Sequence, residues 1–336
     1  MHRLHTITWL MVAYLAAVVA PQLGLWLRGS VEVEWGVPQL LLACLLFSSA
    51  VAADQNSLHK PPRLRLLARV CLFCIVAPLV TGLVAIAVLW HEIGCPNSVA
   101  LGLLVVIAMP VANSSIGWST HLRASTPLAI ATLLATTLLS PLVSSSVIGF
   151  GAQILNASDP PLAAVPWRES MSFFFALWVL LPILLGLLLS RRLGPQVHLR
   201  AATAARGSGF AALVLLNYIN GAACLPQLVD DPQILLWPML GVLTVLGFSH
   251  LQCWWFANSI CPGIEYHPER VSLTLSVLMR NTGAALVFAG TVLPEHELAG
   301  LTIITYTLAQ HLWVAFSFGS THQPSAVTSA APALRC

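Results

Sequence analysis

Charged side chains are scarce in this sequence. Asp, Glu, Lys and Arg together make up 8% of its 336 residues, whereas 57% are hydrophobic. A soluble globular domain carries roughly 25% charged residues, so the composition excludes that class. The sequence instead predicts a polytopic membrane protein with the lipid bilayer as a partner, and it implies no nucleic-acid partner.

Acidic residues are absent from the apolar segments, which therefore contain no paired carboxylates. These segments also contain no histidine cluster with metal-ligand spacing and no nucleophile beside a base, so we predict neither enzyme activity nor a cofactor. Cys71 and Cys74 have CxxC spacing, but the sequence offers no second pair and no nearby histidine. We interpret both as small packing residues, not as a metal site or a disulfide.

Ten apolar segments are long enough to cross a bilayer, because a helix rises about 1.5 Å per residue and the hydrocarbon core is about 30 Å thick. They cover residues 6–27, 36–53, 66–90, 98–122, 126–150, 171–189, 208–228, 234–260, 271–294 and 298–318. The predicted fold class is an all-α membrane protein with ten transmembrane helices.

Basic residues are concentrated on one side of this predicted topology. Only two of the loop arginines, Arg28 and Arg168, fall on the other side. Cytoplasmic loops are the ones enriched in Lys and Arg. We therefore predict a multi-pass protein of the cell (inner) membrane with both termini cytoplasmic.

Two polar interruptions occupy corresponding places in the two halves of the chain. Five spans per half give the second half the opposite orientation, which is typical of an inverted repeat. The fourth segment is interrupted at residues 109–115, where Pro110 disfavours helix, and the ninth at residues 279–283, where Gly283 loosens it. We predict discontinuous fourth and ninth helices that cross near the midplane, although either interruption alone is also explained by an ordinary kink.

Arg280 lies near the middle of the ninth segment, roughly 14 Å into the hydrocarbon core. A guanidinium there costs about 2.5 to 3.5 kcal/mol on insertion scales, so it must face a partner, a cavity or a ligand. One interpretation is that it binds an anionic substrate with its fork of donors. The other is that it caps carbonyls freed by the opposite break, near Asn113 and Ser114.

A substrate site is therefore predicted where the two breaks meet. Its candidate residues are Arg280, Asn281, Thr282, Asn113, Ser114, Ser115 and His311. Because arginine does not titrate, proton coupling would need another group, and His311 and His250 are the candidates. Each of these histidines is also explained as a hydrogen-bonding packing residue.

Several short stretches resemble the bile acid:sodium symporter family, a group of ten-helix inverted-repeat carriers of organic anions. Val-Ala-Leu-Gly-Leu-Leu at 99–104, Thr-Leu-Leu-Ser-Pro-Leu at 137–142 and Leu-Pro-Ile-Leu-Leu-Gly-Leu-Leu at 181–188 are similar to its fourth, fifth and sixth helices. Met279 and residues 281–283 fall where the family has Met-Gln-Asn-Ser-Gly, and His311 falls where it has Trp-His-Asn. The resemblance implies panel helices at 1–55 and 168–228, core helices at 62–158 and 233–320, and a cytoplasmic tail at 321–336.

The sodium-site positions that the resemblance implies depart from the family pattern. Ser276 replaces a Glu, Arg280 a Gln and Phe73 a Gln, and the family's Ser-Asn pair is Ser115 and Ile116 here. Three of the four changed positions offer no oxygen ligand, and one brings a fixed positive charge. Ser115 and Ser276 remain as residual sodium candidates, and the metal site is otherwise unknown.

The function predicted from residues and resemblance together is secondary transport of a small organic anion by alternating access. In this hypothesis Arg280 replaces the coupling cation, so the sequence favours a carrier without sodium coupling while leaving that coupling open. The alternative is a non-transporting membrane receptor or subunit with the same fold, since loss of coupling residues is what such a descendant would show.

Overall fold

Helices form the regular structure of the part of the chain that the computed structural model describes, which is residues 2–29, 36–53, 62–156, 172–263, 267–293 and 296–319. The α-helices of eight or more residues are α1 (His2–Val19), α2 (Pro21–Gly29), α3 (Val37–Val51), α4 (Leu64–His91), α5 (Asn97–Ala108), α6 (Ser114–His121), α7 (Thr126–Asn156), α8 (Leu181–Arg192), α9 (Pro195–Cys224), α10 (Leu236–Ile260), α11 (His267–Leu278), α12 (Thr282–Val292) and α13 (Glu297–Gly319). A π-helical turn, Phe175–Leu180, leads into α8. The predicted tail at 321–336 lies outside the described residues.

The apolar helices confirm an all-helical, multi-pass membrane protein. Within the described residues, six helices are long and apolar enough to cross a membrane, or seven if the bent pair α1 and α2 is one span. Three of the ten predicted spans do not appear in that count. One is the shorter helix α3, and the other two are divided into α5 with α6 and α11 with α12.

Two boundaries differ from those predicted. The first segment is not straight, because α1 and α2 meet at an angle of 91°. Pro21 opens α2, and a proline cannot continue the hydrogen-bond ladder of the helix before it. The seventh helix was predicted from residue 208, but α9 already begins at Pro195, which suits a first helical position. Most of residues 190–207, which lie between the sixth and seventh predicted spans, are therefore helical.

The helices pack in two sets. In the first set, α3 contacts α8 and α9, and α9 also contacts α1 and α2. In the second set, α5 contacts α4, α7 and α13, and α10 contacts α4, α11 and α13. Helix α9 also reaches α12 and α13, so the two sets meet along this helix.

The two breaks cross and satisfy each other's backbone. Val111 and Arg280 form an antiparallel bridge. The amide of Ala112 donates to the Met279 carbonyl at 2.9 Å, and the amide of Asn281 donates to the Pro110 carbonyl at 3.0 Å. Two stretches of backbone without helical hydrogen bonds can therefore lie in apolar surroundings, because each stretch supplies the hydrogen-bond partners that the other lacks.

The second break begins where predicted but ends two residues earlier. Helix α11 ends at Leu278 and α12 begins at Thr282, so Gly283 is already in the first turn of α12. The side chain of Asn281 caps α12 by accepting from the Ala284 amide at 3.1 Å. This cap, and not glycine flexibility, sets where the helix restarts.

Candidate functional site

A cavity of about 570 Å³ lies between the two sets of helices, where the breaks cross. Its floor is built from the residues at the start of α6 and α12, and its opposite wall from α1, α3 and α9. Of the predicted site residues, Arg280, Asn281, Thr282, Gly283, Asn113, Ser114 and His311 line it. The crossing thus brings most of the predicted site together.

Two predicted residues lie elsewhere. Ser115 is fully buried and does not line the cavity, because successive residues of a helix point about 100° apart and Ser114 is the one that faces it. Pro110 borders a separate void of about 10 Å³ on the other side of the crossing. The prediction of Ser115 as a substrate contact does not fit this arrangement.

The Arg280 guanidinium is held by protein carbonyls. Its side chain is 3% exposed. Nη1 donates to the Met109 carbonyl at 3.1 Å, and Nη2 donates to the Cys74 carbonyl at 2.6 Å. Met109 caps the end of α5, and Pro78 has no N–H to offer the Cys74 carbonyl one turn earlier in α4. Both acceptors are therefore carbonyls that a helix leaves unpaired.

This geometry changes the predicted role of Arg280. One N–H of each Nη group goes to a carbonyl, so the side chain is anchored to the main chain and the whole fork is not available to an anion, as one interpretation expected; its Nε–H is buried without a partner. The capping interpretation is closer to this geometry, because Met109 belongs to the opposite break, although its carbonyl precedes Asn113 and Ser114; the second carbonyl, that of Cys74, comes from α4. What the cavity receives from Arg280 is a fixed positive charge.

Helix α13 supplies groups that sequence reasoning missed. Gln310 accepts from the Arg280 amide at 2.9 Å, and its Nε2 lies 3.5 Å from the Thr282 hydroxyl. The Tyr306 hydroxyl donates to the carbonyl of Leu278, the last residue of α11. The signal available in the sequence was a pair of large polar residues one turn apart, at 306 and 310, in a mainly apolar segment.

The hydrogen bond from Trp118 selects one of the two neutral tautomers of His311. The Trp118 Nε1–H donates to Nδ1 of His311 at 3.2 Å. An indole N–H can only donate, so Nδ1 must be an acceptor and the ring proton sits on Nε2. Trp313 fixes His250 in the same way at 3.0 Å. His311 thus offers a neutral N–H donor at the cavity, and protonating either histidine requires breaking its bond to tryptophan.

The remaining lining is mainly apolar with a basic mouth, and its polar residues are Ser48, Ser49, Thr120, Asn217 and Thr307. Leu10, Leu45, Leu46, Phe210 and Leu213 form the wall opposite the crossing. Arg206 and His121 lie at the mouth, and the described lining contains no carboxylate. The electrostatics of the cavity therefore favour an anion over a cation.

Residues 39–230, more than half of the chain, match the family model described as Sodium Bile acid symporter family. The chain belongs to the sodium bile acid symporter family. Members of this family are membrane solute transporters and not enzymes, so the chain is an integral multi-pass protein of a transporter family. The matched region contains the first break but ends before Arg280 and His311. No match is found among curated proteins.

The family name raises the question of whether sodium fits the residues present. The hydroxyls of Ser115 and Ser276, the two residual candidates, are buried without a hydrogen-bond partner, as are those of Ser119 and Thr132. They are neutral oxygens, and Ser276 lies four residues before the Arg280 charge. A hard cation gains most from a carboxylate and loses beside a guanidinium, so this donor set fits sodium poorly.

Proposed function

We propose that this chain is a secondary transporter that moves an organic anion across the membrane by alternating access, without coupling to sodium. Membership of a family of solute transporters supports transport. The observation that carries the choice of an anion is the 570 Å³ cavity at the crossed breaks, with the Arg280 charge built into its floor.

Arg280 contributes to anion binding through its field. An anion held about 6 Å from the guanidinium gains roughly 3 kcal/mol at an effective dielectric constant of about 20. The first turns of α6 and α12 also face the cavity, and the amino-terminal end of a helix is the end that favours negative charge. The charge of the substrate is thus balanced before any ion binds with it.

Direct contacts come from neutral donors around the charge. His311 offers Nε2–H, and Asn281 keeps its side-chain NH₂ because its oxygen caps α12. Thr282, Asn113 and Ser114 add a hydroxyl, an amide and a second hydroxyl to the same wall. The apolar wall opposite fits the hydrocarbon part of the substrate, so we propose an anion with an apolar body.

The architecture that we propose is ten transmembrane helices in two inverted five-helix repeats. Seven long spans, counting α1 and α2 as one, together with α3, the α5–α6 pair and the α11–α12 pair make ten. The first packing set corresponds to the proposed panel and the second to the proposed core. The crossed breaks would then lie near the midplane, where a carrier holds its substrate.

The cavity mouth is proposed to face the cytoplasm of the cell (inner) membrane. Arg206 is at the mouth, and the loop arginines Arg63, Arg123 and Arg191 belong to the same predicted side. Because cytoplasmic loops are the basic ones, both chain termini and the mouth are placed inside. The structure is accordingly proposed to be the inward-open state.

The experiment is uptake into proteoliposomes of radiolabelled taurocholate and a series of shorter carboxylates and sulfonates, in sodium and in choline buffers. We expect saturable uptake of at least one anion at the same rate in both buffers, reduced at least tenfold in Asn281→Ala. Arg192→Gln, an exposed arginine at the end of α8, is the matched control. Sodium-dependent uptake would contradict uncoupled transport, and binding without uptake would favour the receptor alternative.

A further inference from the structure

The positive charge at the crossing stays constant through a transport cycle. Arginine keeps its proton in proteins, and the Arg280 side chain is fixed by the carbonyls of Cys74 and Met109. No part of the proposed cycle removes this charge. The site therefore carries one positive charge when empty and none when it holds a monoanion.

The two histidines that are candidates for proton coupling are not free to accept a compensating proton. Nδ1 of His311 and Nδ1 of His250 each already accept an indole N–H. The described cavity lining has no carboxylate. On α11 the acidic residue is Glu269 in the first turn, eleven positions before Arg280 (280 − 269) and therefore roughly 16 Å away along a helix.

Because the empty site carries a positive charge and the loaded site carries none, the membrane potential favours one direction of the transport cycle. We infer that the membrane potential, negative inside, holds the empty carrier open to the cytoplasm through Arg280 and drives the substrate anion outward. This inference rests on the proposed function, because it needs a carrier that exposes the site alternately to the two sides. It makes the protein an electrogenic exporter of organic anions.

The physical reason does not depend on which helices move. When the cavity is open to the cytoplasm, Arg280 lies near the cytoplasmic potential, and when it is open to the outside, it lies near the external potential. One charge crossing the whole of a 100 mV potential changes the ratio of two populations by roughly 50-fold. An inside-negative potential therefore favours the inward-open empty state, which then binds its anion from the cytoplasm.

A second cavity provides a way to observe this orientation without a substrate. It has a volume of about 310 Å³ and lies between α2, α9, α12 and α13, at the opposite end of the same interface. Along α9, residues 205–217 line the first cavity and residues 220–224 the second. Cys224 lines the second cavity and is 7% exposed, so opening of this outer side would expose its thiol.

The test uses the full-length protein in proteoliposomes under potassium diffusion potentials set with valinomycin. A membrane-impermeant maleimide is added outside, and mass spectrometry measures modification of Cys224. We expect labelling at least about fivefold slower at 100 mV inside-negative than at 100 mV inside-positive potential, since a charge crossing a quarter of the field over this difference of 200 mV changes the population ratio roughly sevenfold. Arg280→Gln should remove the dependence, while Arg280→Lys and the exposed control Arg192→Gln should keep it.

If Arg280→Gln does not fold, it is combined with Pro78→Ala, which restores an amide for the Cys74 carbonyl. Equal labelling of the wild-type protein at both polarities, or the same dependence in Arg280→Gln, would overturn the inference. Efflux of preloaded taurocholate and the shorter anions is measured in parallel and is expected to be faster at inside-negative potential. Efflux independent of potential would also overturn the inference, whereas potential-dependent labelling with no flux of any anion would support the orienting role of Arg280 and refute transport.

Discussion

The carbonyl oxygen of Cys74 accepts a 2.6 Å hydrogen bond from Nη2 of Arg280. In an uninterrupted helix this carbonyl would accept from residue 78, but Pro78 has no N–H. Nη1 makes the equivalent contact with Met109, where Pro110 ends α5. One cation therefore closes two gaps that prolines leave in different helices, and its charge remains available to the cavity.

This pairing predicts a coupling between Arg280 and Pro78. Arg280→Gln should destabilise the protein by about 3 kcal/mol, because a buried carbonyl left without a donor costs about 1 to 3 kcal/mol and two are affected. Pro78→Ala supplies the missing amide, so in its background the same substitution should cost about 1 to 2 kcal/mol less. The measurement is a double-mutant cycle from denaturant unfolding in mixed micelles.

Arg192→Gln serves as the control in both backgrounds, since Arg192 is exposed at the end of α8. Its effect should be small and independent of residue 78. If the Arg280 and Pro78 effects were simply additive, the Cys74 contact would not be the link between them.

Trp118 is predicted to determine how His311 responds to pH. Trp118→Phe removes the N–H that occupies Nδ1 of His311, so this nitrogen becomes free to accept a proton. Binding of taurocholate or a shorter anion should then tighten on acidification, because a protonated His311 adds a second positive charge. Over the same pH range the wild-type protein should show less tightening in a scintillation binding assay, since its Nδ1 is occupied.

The matched control is Trp313→Phe, which removes the same kind of bond from His250 at a site outside the cavity. Its binding should depend on pH no more than that of the wild-type protein. The affinity of the wild-type protein for the anion could instead rise on acidification as strongly as that of Trp118→Phe. In that case the Trp118 hydrogen bond does not limit protonation of His311.

The sequence was sufficient to locate the helices and to select Arg280. Its apolar segments identify where helices lie, and a charge in the middle of one of them must be compensated wherever it folds. The sequence could not identify the compensating atoms, because Cys74 and Pro78 lie about 200 residues away and a main-chain carbonyl leaves no trace in residue type. The capping interpretation therefore identified the opposite break, which supplies the Met109 carbonyl, but not the Cys74 carbonyl of α4.

Other features of the structure could not be predicted from the sequence for related reasons. Hydropathy along residues 6–27 reports how apolar the segment is but not the direction in which the chain runs, so it could not reveal the 91° bend before Pro21. The exact place where α12 restarts depends on the Asn281 cap and on its pairing with Pro110, not on Gly283. The tautomer of His311 depends on Trp118, a residue 193 positions earlier (311 − 118) that only the fold brings close.

Gly102 is predicted to set the distance between α5 and α13. A Cβ at this position would lie 2.7 Å from the Ala299 carbonyl and 2.8 Å from the Thr302 Cβ. Gly102→Ala should therefore cost about 1 to 3 kcal/mol by forcing the helices apart. Gly149→Ala in α7 is the matched control, because nothing lies within 4 Å of its added Cβ, and it should be neutral or stabilising by up to about 1 kcal/mol. Equal losses in both variants, measured by unfolding in mixed micelles, would contradict this packing.

Sodium binding should be recoverable by two substitutions at the crossing. Ser276→Glu alone places a carboxylate one turn before Arg280, and we expect the two to pair and exclude a cation. Arg280→Gln alone frees the carbonyls of Cys74 and Met109 but provides no negative charge. The double variant combines a carboxylate, an amide oxygen and both freed carbonyls, which are the hard oxygen ligands that sodium prefers.

We therefore expect sodium chloride, compared with choline chloride at equal ionic strength, to raise the Tm of the double variant by several degrees, since a ligand that binds only the folded state stabilises it. The wild-type protein and both single variants should show no difference between the two salts. Stabilisation of the wild-type protein by sodium would mean that Arg280 does not exclude the ion. A double variant that folds and responds equally to both salts would mean that these two positions do not control sodium binding, because every other ligand in the set is already present.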